Sequence, residues 1–312
     1  MRTVADIGEF GLIARLAKKI PHAGDDCAVL PGGLLLTCDP VVEGIHYLPS
    51  TPPYRVGWKA MARNLSDIAA MAGVPRYAVV SIGLRPNTTV RYVEQLYAGM
   101  HAVAGKFGCR IVGGDTTHVK REQFIVVTML GEAAHPILRT GSKIGDSVFV
   151  TGTLGGSLAG KHLTFTPRIA EGRWLTRHFN IHAMIDLSDG LGSDAFHLLE
   201  GATTHPFPSR EGNPKNLPSS GGAGGGFISS RIGIELYAAE IPANDTLRAA
   251  LYDGEDYELL FTLDPRDVTR LRRKWKFPLK LTEIGRVVRG RGVRLDGRPL
   301  TAKGYDHFQK RR

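Results

Sequence analysis

The chain has 312 residues, 42% of them hydrophobic and 22% charged, which is the balance of an ordinary globular protein. That length suits two domains better than one core. No apolar run approaches the roughly 20 residues that a membrane-spanning helix needs. The formal charge of +10 is uneven: from Arg266 to Arg312, sixteen Lys and Arg stand against four Asp and Glu, while the rest is close to neutral. A basic segment raises nucleic-acid binding as one reading. Val268, Leu271 and Trp275 recur at helical spacing among these charges, however, so Arg266–Lys276 reads first as an amphipathic helix with a solvated face. Three cysteines, Cys27, Cys38 and Cys109, are odd in number and share no CxxC spacing. They predict reduced thiols in a cytoplasmic protein, with neither a disulfide frame nor a zinc site. Asp6 and Glu9 interrupt the first apolar pattern and no small-residue cleavage site follows, so no signal peptide is expected.

Gly8–Lys19 carries Phe10, Ile13, Leu16 and Ala17 at helical spacing. Asp25 and Asp26 then stand side by side before an apolar run, and they repel unless a cation sits between them. Leu34–Asp39 reads as a strand ending on a carboxylate, and Val42–Tyr47 as a loop holding His46. Val56–Ala72 is a strong helix with Trp58, Met61, Ala62, Leu65, Ile68 and Ala69 on its apolar face. Asn64 and Asp67 share a separate stripe, facing either water or a ligand. Tyr77–Leu84 reads as a buried strand, Thr88–Phe107 as a helix closed by Gly108, Cys109–Thr117 as a strand running into Gly113, Gly114 and Asp115, and Phe124–Leu130 as a further strand.

A boundary is expected near Gly141–Asp146, dividing residues 1–140 from residues 141–312. The segment from Gly155 to Lys161 fits G-x-x-x-x-G-K, but His162 stands where a phosphate loop needs Ser or Thr. It reads as a chance match, with glycines that start a helix. Ala183–Asp186 is a strand leading to Asp186-Leu187-Ser188-Asp189-Gly190, and a helix begins near Gly190. His205–Ser230, rich in Pro, Gly and Ser, reads as a flexible insertion. Ile232–Tyr237 is a strand, Asp253–Glu258 is acidic and leads into another, and Glu283–Val288 with Gly292–Leu295 reads as a hairpin.

Asp25, Asp26, Asp39, Asp67, Asp115, Asp186, Asp189, Glu255 and Asp256 mostly stand at strand ends or beside Gly. Ligands collect at the carboxyl ends of strands in α/β sheets. If these ends converge, the site holds too much negative charge without counter-ions. Hard divalent cations with oxygen ligands supply that charge, and Mg2+ does so together with substrate phosphates. The residues therefore point to a Mg-dependent enzyme acting on phosphates.

The ordered motifs resemble thiamine-monophosphate kinases, a family of the aminoimidazole-ribonucleotide-synthetase-like superfamily. They run from Gly8-Glu9-Phe10-Gly11-Leu12-Ile13 through Gly24-Asp25-Asp26, Asp39, Glu43-Gly44-Ile45-His46, Gly57-Trp58-Lys59-Ala60, Asn64-Leu65-Ser66-Asp67 and Gly113-Gly114-Asp115. They close with Asp186-Leu187-Ser188-Asp189-Gly190-Leu191, Gly254-Glu255-Asp256-Tyr257 and Gly304-Tyr305. The resemblance implies an α/β fold of mixed sheets in two domains. The N-terminal domain would bind ATP and magnesium and pair in a homodimer; the C-terminal α/β domain would carry the insertion. Several Mg2+ ions would be held by Asp26, Asp39, Asp67, Asp115, Asp186 and Asp189, assisted by Thr37 and Cys38. Tyr97, Gly114, Asp115, Arg139 and Ser188 would contact ATP, and His46, Glu255 and Tyr305 would contact thiamine monophosphate. The γ-phosphoryl group would pass directly to the substrate phosphate, with no covalent or general-base residue. Three departures stand out: Cys38 replaces a usual Thr or Ser, the stretch from Gly160 to His182 is short, and the His205–Ser230 insertion is not a family feature. A related ATP-dependent ligase of the superfamily is the alternative within the fold, and a nucleic-acid binder the alternative outside it.

Overall fold

The computed structural model describes residues 2–17, 19–20, 24–199, 232–302, 305 and 308. The Pro- and Gly-rich insertion, Gly304 and the basic tip lie outside the described residues.

The first half runs α1 (Gly8–Leu16), β1 (Ala28–Leu30), β2 (Leu34–Val42), α2 (Pro53–Ala70), β3 (Val74–Leu84), α3 (Val90–Lys106), β4 (Arg110–His118) and β5 (Phe124–Glu132). Its strands form a five-stranded mixed sheet in the order β1-β2-β5-β3-β4. The expected stop at Asp39 is corrected, because β2 continues to Val42 in unbroken antiparallel register with β5. α2 and α3 cover one face of this sheet. They approach so closely that a Cβ on Gly57 would stand 1.9 Å from Leu96 O, and one on Gly99 would stand 1.9 Å from Tyr54 O. Only hydrogen fits at that crossing. The other face carries Leu36, Tyr77 and Val79, about 40% exposed, and no element among the described residues covers them. Ile13 and Leu16 of α1 are also about half exposed.

The second half runs β6 (Ser147–Thr151), α4 (Ile169–His178), β7 (Ile181–Asp186), α5 (Leu191–His197), β8 (Ile232–Leu236), α6 (Leu247–Tyr252), β9 (Leu259–Leu263), α7 (Val268–Lys274), β10 (Leu281–Arg289), β11 (Gly292–Leu295) and β12 (Arg298–Pro299). Its seven-stranded sheet has the order β12-β11-β8-β10-β6-β9-β7. This overturns the expected hairpin of β10 with β11. β8 lies between them, antiparallel to β10 and parallel to β11, and β11 turns back on β12 instead. Local alternation marks a strand but does not name its neighbour.

α2 links the halves. One side packs on β2, β5 and α3, and the other reaches α4 and β7. Second-half residues therefore cover its polar stripe, and Lys59, Asn64 and Ser66 are fully buried. Residues from both sheets, from Leu35 to Leu271, share one continuous core. The basic segment includes α7 with Leu271 buried, and three of its arginines are engaged on the protein: Arg266 pairs with Asp264, Arg270 with Asp267 and Arg272 with Glu283. No described helix is long and apolar enough to cross a membrane.

Candidate active site

β2 begins the site. Its side chains alternate between faces, so Thr37 and Asp39 point toward α2 while Cys38 points the other way. Thr37 Oγ1 donates to Asp67 of α2. One residue earlier, Ser66 Oγ donates to Asp186 at the end of β7, 2.5 Å away and 120 residues distant in sequence. The apolar run of β7 is what delivers Asp186, since all but one of its residues are buried. Arg139 supplies the cation that adjacent carboxylates require. Its Nη2 lies 2.7 Å from Asp26 Oδ1, and its backbone N–H donates to Asp25 at 3.1 Å.

These groups line a cleft of about 280 Å³ formed by Asp26, Thr37, Cys38, Asp39, Arg63, Asp67, Arg139, Asp186, Ser188 and Tyr257, with Leu36 at its edge. Four carboxylates face two guanidinium groups. Arg63 is the second, 3.5 Å from Asp39 and bonded at 2.9 Å to Pro40 O. Burial pushes Asp25 and Asp186 up to about 7 and carries Asp26 and Asp67 above the usual carboxylate range. Neighbouring carboxylates add to that rise, and Arg139 opposes it at Asp26. Asp26 Oδ2 is buried with no hydrogen-bond partner among the described residues. No three His, Cys, Asp or Glu side chains among the described residues form a ready-made metal cage.

The Asp186-to-Gly190 turn is also the peg on which the other end of the site hangs. Ser188 O accepts from Glu255 N at 2.7 Å, Leu187 O from Tyr257 N at 2.8 Å, and Asp189 O from Tyr305 N at 3.2 Å. Gly254, at φ 73°, lies so close that a Cβ there would stand 2.7 Å from Ser188 O. Glu255 and Tyr257 both hold left-handed φ, 56° and 51°. The side chain of Asp194 caps the turn, accepting from Asp189 N and Gly190 N at 3.1 Å. Glu255 Oε2 meets the buried Lys59 Nζ at 2.6 Å, and the same ammonium donates to His46 O at 2.6 Å. His46 is itself buried, its Nδ1 accepting from Val42 N.

Comparison with known proteins sets this geometry in a family. Residues 24–133 match the family described as AIR synthase related protein, N-terminal domain. Thiamine-monophosphate kinase from Aquifex aeolicus is 36% identical over 97% of this chain and 99% of its own. The chain belongs to the thiamine-monophosphate kinase family. Thiamine-monophosphate kinase from Rhodopirellula baltica is 33% identical, covering 86% of this chain and 84% of its own. The solved structure of AaThiL complexed with AMPPCP and TMP superposes with a TM-score of 0.81 at 32% identity, covering 98% of this chain and 99% of that one.

Within this thiamine-monophosphate kinase fold, Asp26, Thr37, Asp39, Asp67, Arg139, Asp186 and Ser188 share one cleft. Cys38 borders it through the strand backbone, while its thiol is exposed and accepts from Thr128 Oγ1 at 3.3 Å on the uncovered face. Asp189 lies in the adjoining turn, where burial pushes it up to about 6. Asp115 and Gly114 do not join the cleft. They sit on β4 at the sheet edge, and Asp115 is paired in register with exposed Ser81. β5 and β3 separate β4 from the Asp39 strand, a gap of roughly 14 Å at the usual strand spacing. Tyr97 is half-buried on α3, near His101.

Sequence reasoning gave no role to Arg63 or Lys59. A cation in an otherwise apolar helix was the available signal, and each side chain proves to have a carboxylate partner. The Gly155–Lys161 segment forms two short 3-10 turns rather than a phosphate cradle. Gly155 N and Ser157 Oγ bind the protein's own Asp256 there, at 3.0 and 2.5 Å.

Proposed function

We propose that this chain transfers the γ-phosphoryl group of ATP to the phosphate of thiamine monophosphate, giving thiamine diphosphate. The observation that carries this reading is the charge of the cleft, four carboxylates against two arginines, with Asp26 Oδ2 left without a hydrogen-bond partner among the described residues. The phosphates of two substrates bring more negative charge to this cleft, so it needs cations. The near-full-length likeness to thiamine-monophosphate kinases and to a structure complexed with AMPPCP and TMP supports the choice of substrates.

The donor set is all hard oxygen, which fits Mg2+. Asp26, Thr37, Asp39, Asp67, Asp186 and Asp189 would hold the ions, with Cys38 contributing its carbonyl alone and Asp115 acting from the sheet edge. When bound, Mg2+ neutralises phosphate charge and aligns donor with acceptor. Arg139 and Ser188 hold the nucleotide phosphates, with Tyr97 and Gly114 on the nucleotide side. Tyr305 and Glu255 hold the organic part of the acceptor beside His46. Residues 1–140 and 141–312 act as the two domains that bound the cleft. The uncovered sheet face of the first domain, with Leu36, Tyr77 and Val79, suits pairing of two copies in a homodimer. Three free thiols suit a reducing, cytoplasmic setting.

Transfer is direct, without a phospho-enzyme. Burial pushes the Cys27 thiol well up, the Cys38 thiol faces away from the cleft, and His46 Nδ1 is occupied by Val42 N. The test is mass detection of thiamine diphosphate after incubation with ATP, magnesium and thiamine monophosphate; no product overturns the reading. Label from γ-labelled ATP retained on denatured protein without acceptor, and chased into product, overturns direct transfer.

A further inference from the structure

Lys59 is one of the largest side chains with no exposed surface in the protein. A buried ammonium is costly unless fully paired. Its hydrogen-bond acceptors come from segments far apart in sequence: His46 O from the loop after β2, and Glu255 Oε2 from the loop before β9, 196 residues away. Both contacts are 2.6 Å, the short length of charge-assisted hydrogen bonds. Lys59 cannot touch a ligand, because no part of it is exposed. Glu255 can: its side chain is 19% exposed, and Oε1 takes no protein hydrogen bond among the described residues. The backbone beneath it is strained at φ 56° and held from two directions, by Ser188 O on its N–H and by the close approach of Gly254. Lys59 fixes the one remaining freedom, the carboxylate rotamer.

We propose that Lys59 is a positioning residue for the acceptor, holding Glu255 so that Oε1 faces the cationic or amino-bearing heteroaromatic part of a phosphate monoester. The same ammonium ties this carboxylate to the His46 loop, so both acceptor-side groups are presented as one unit. The inference rests on the acceptor assignment above and deepens it: it identifies the group that makes Glu255 specific. A freely rotating Glu255 would lose affinity for the acceptor and leave nucleotide binding alone, since the hydrogen bonds of Lys59 go to His46 and Glu255 and neither residue lines the carboxylate cleft.

A double-mutant cycle on the full-length enzyme tests this with Lys59→Met, Glu255→Gln and the double variant, recording KM for thiamine monophosphate and for ATP separately. Lys59→Met raises the acceptor KM about tenfold, the size of a lost charged hydrogen bond, and moves the ATP KM less than about twofold. In the Glu255→Gln background, Lys59→Met adds less than about twofold, because its route to the substrate is already gone. If Lys59→Met alone does not fold, the comparison of Glu255→Gln with the double variant still decides, since the double variant removes both members of the buried ion pair. Equal acceptor KM values there support the proposal. Multiplying effects, or equal rises in both KM values, overturn it. Absence of wild-type turnover overturns the functional reading and this proposal together, whereas wild-type turnover with multiplying effects overturns the Lys59 role alone.

Discussion

At the carboxylate end of the cleft, Asp26, Asp39, Asp67 and Asp186 face Arg63 and Arg139 among the described residues that line it. At the other end of the site, Glu255 faces Lys59, one anion to one cation. The first region is built short of positive charge and the second is balanced within the protein. A site short of charge is completed by what it binds; a balanced one is rigid beforehand and sets specificity by shape and direction. The two ends share a single turn, Asp186 to Gly190, which points a carboxylate to one side and carries the Glu255 loop on its carbonyls at the other.

Breaking the charge-deficient end has the largest expected effect. Asp67→Asn or Asp186→Asn lowers turnover by about 10²–10³-fold at limiting magnesium, the scale of a lost electrostatic group at a transition state. The melting temperature without metal does not fall, because the change removes repulsion between buried acids. Steady-state rates and calorimetry check both halves, and near-normal turnover in both variants would remove the cluster from the mechanism.

The balanced end is sharpened by pH. Burial lowers Lys59 to about 8, although Glu255 pulls it back up. A lysine lowered from 10.5 binds fewer protons folded than unfolded between those values, so stability rises with pH across that window. Wild type should gain on Lys59→Met from pH 8 to 10 by up to about 1.4 kcal/mol per unit, read from urea midpoints. A flat difference contradicts the buried charge.

The shared turn comes next. Gly254→Ala places a Cβ against Ser188 O at a left-handed position and should cost about 1–3 kcal/mol of stability. Its acceptor KM should rise more than its ATP KM, because it displaces Glu255. A variant with unchanged melting temperature would mean that the turn and loop are not in close contact. The smallest effect belongs to Cys38→Ser. Its side chain lies on the uncovered face with Thr128, so turnover should change by less than about threefold, the size of a surface substitution. A large gain or loss would show that side chain 38 reaches the metals.

Much of this protein was legible in its residues. α2 followed from its apolar spacing, α3 from the helix-like run closed by Gly108, and β7 with Asp186 from an apolar run ending on a carboxylate. The chance nature of the Gly155–Lys161 match also held: Asp256 occupies that nest. Period and capping are local properties, set by a few neighbouring residues, so the sequence alone determines them. Even the opposite facing of Cys38 and Asp39 is contained in the two-residue period of a strand.

Only the tertiary structure decided which distant groups meet. β8 separates β10 from β11, because a strand's edge accepts any partner of matching pattern. The polar stripe of α2 is buried rather than wet because β7 and α4 cover it. Two strands stand between Asp115 on β4 and the Asp39 strand. Lys59 looks like an interruption in an apolar helix until Glu255 arrives from 196 residues away. A charge in the sequence carries no record of its counter-charge; burial makes pairing obligatory, and the fold supplies the partner.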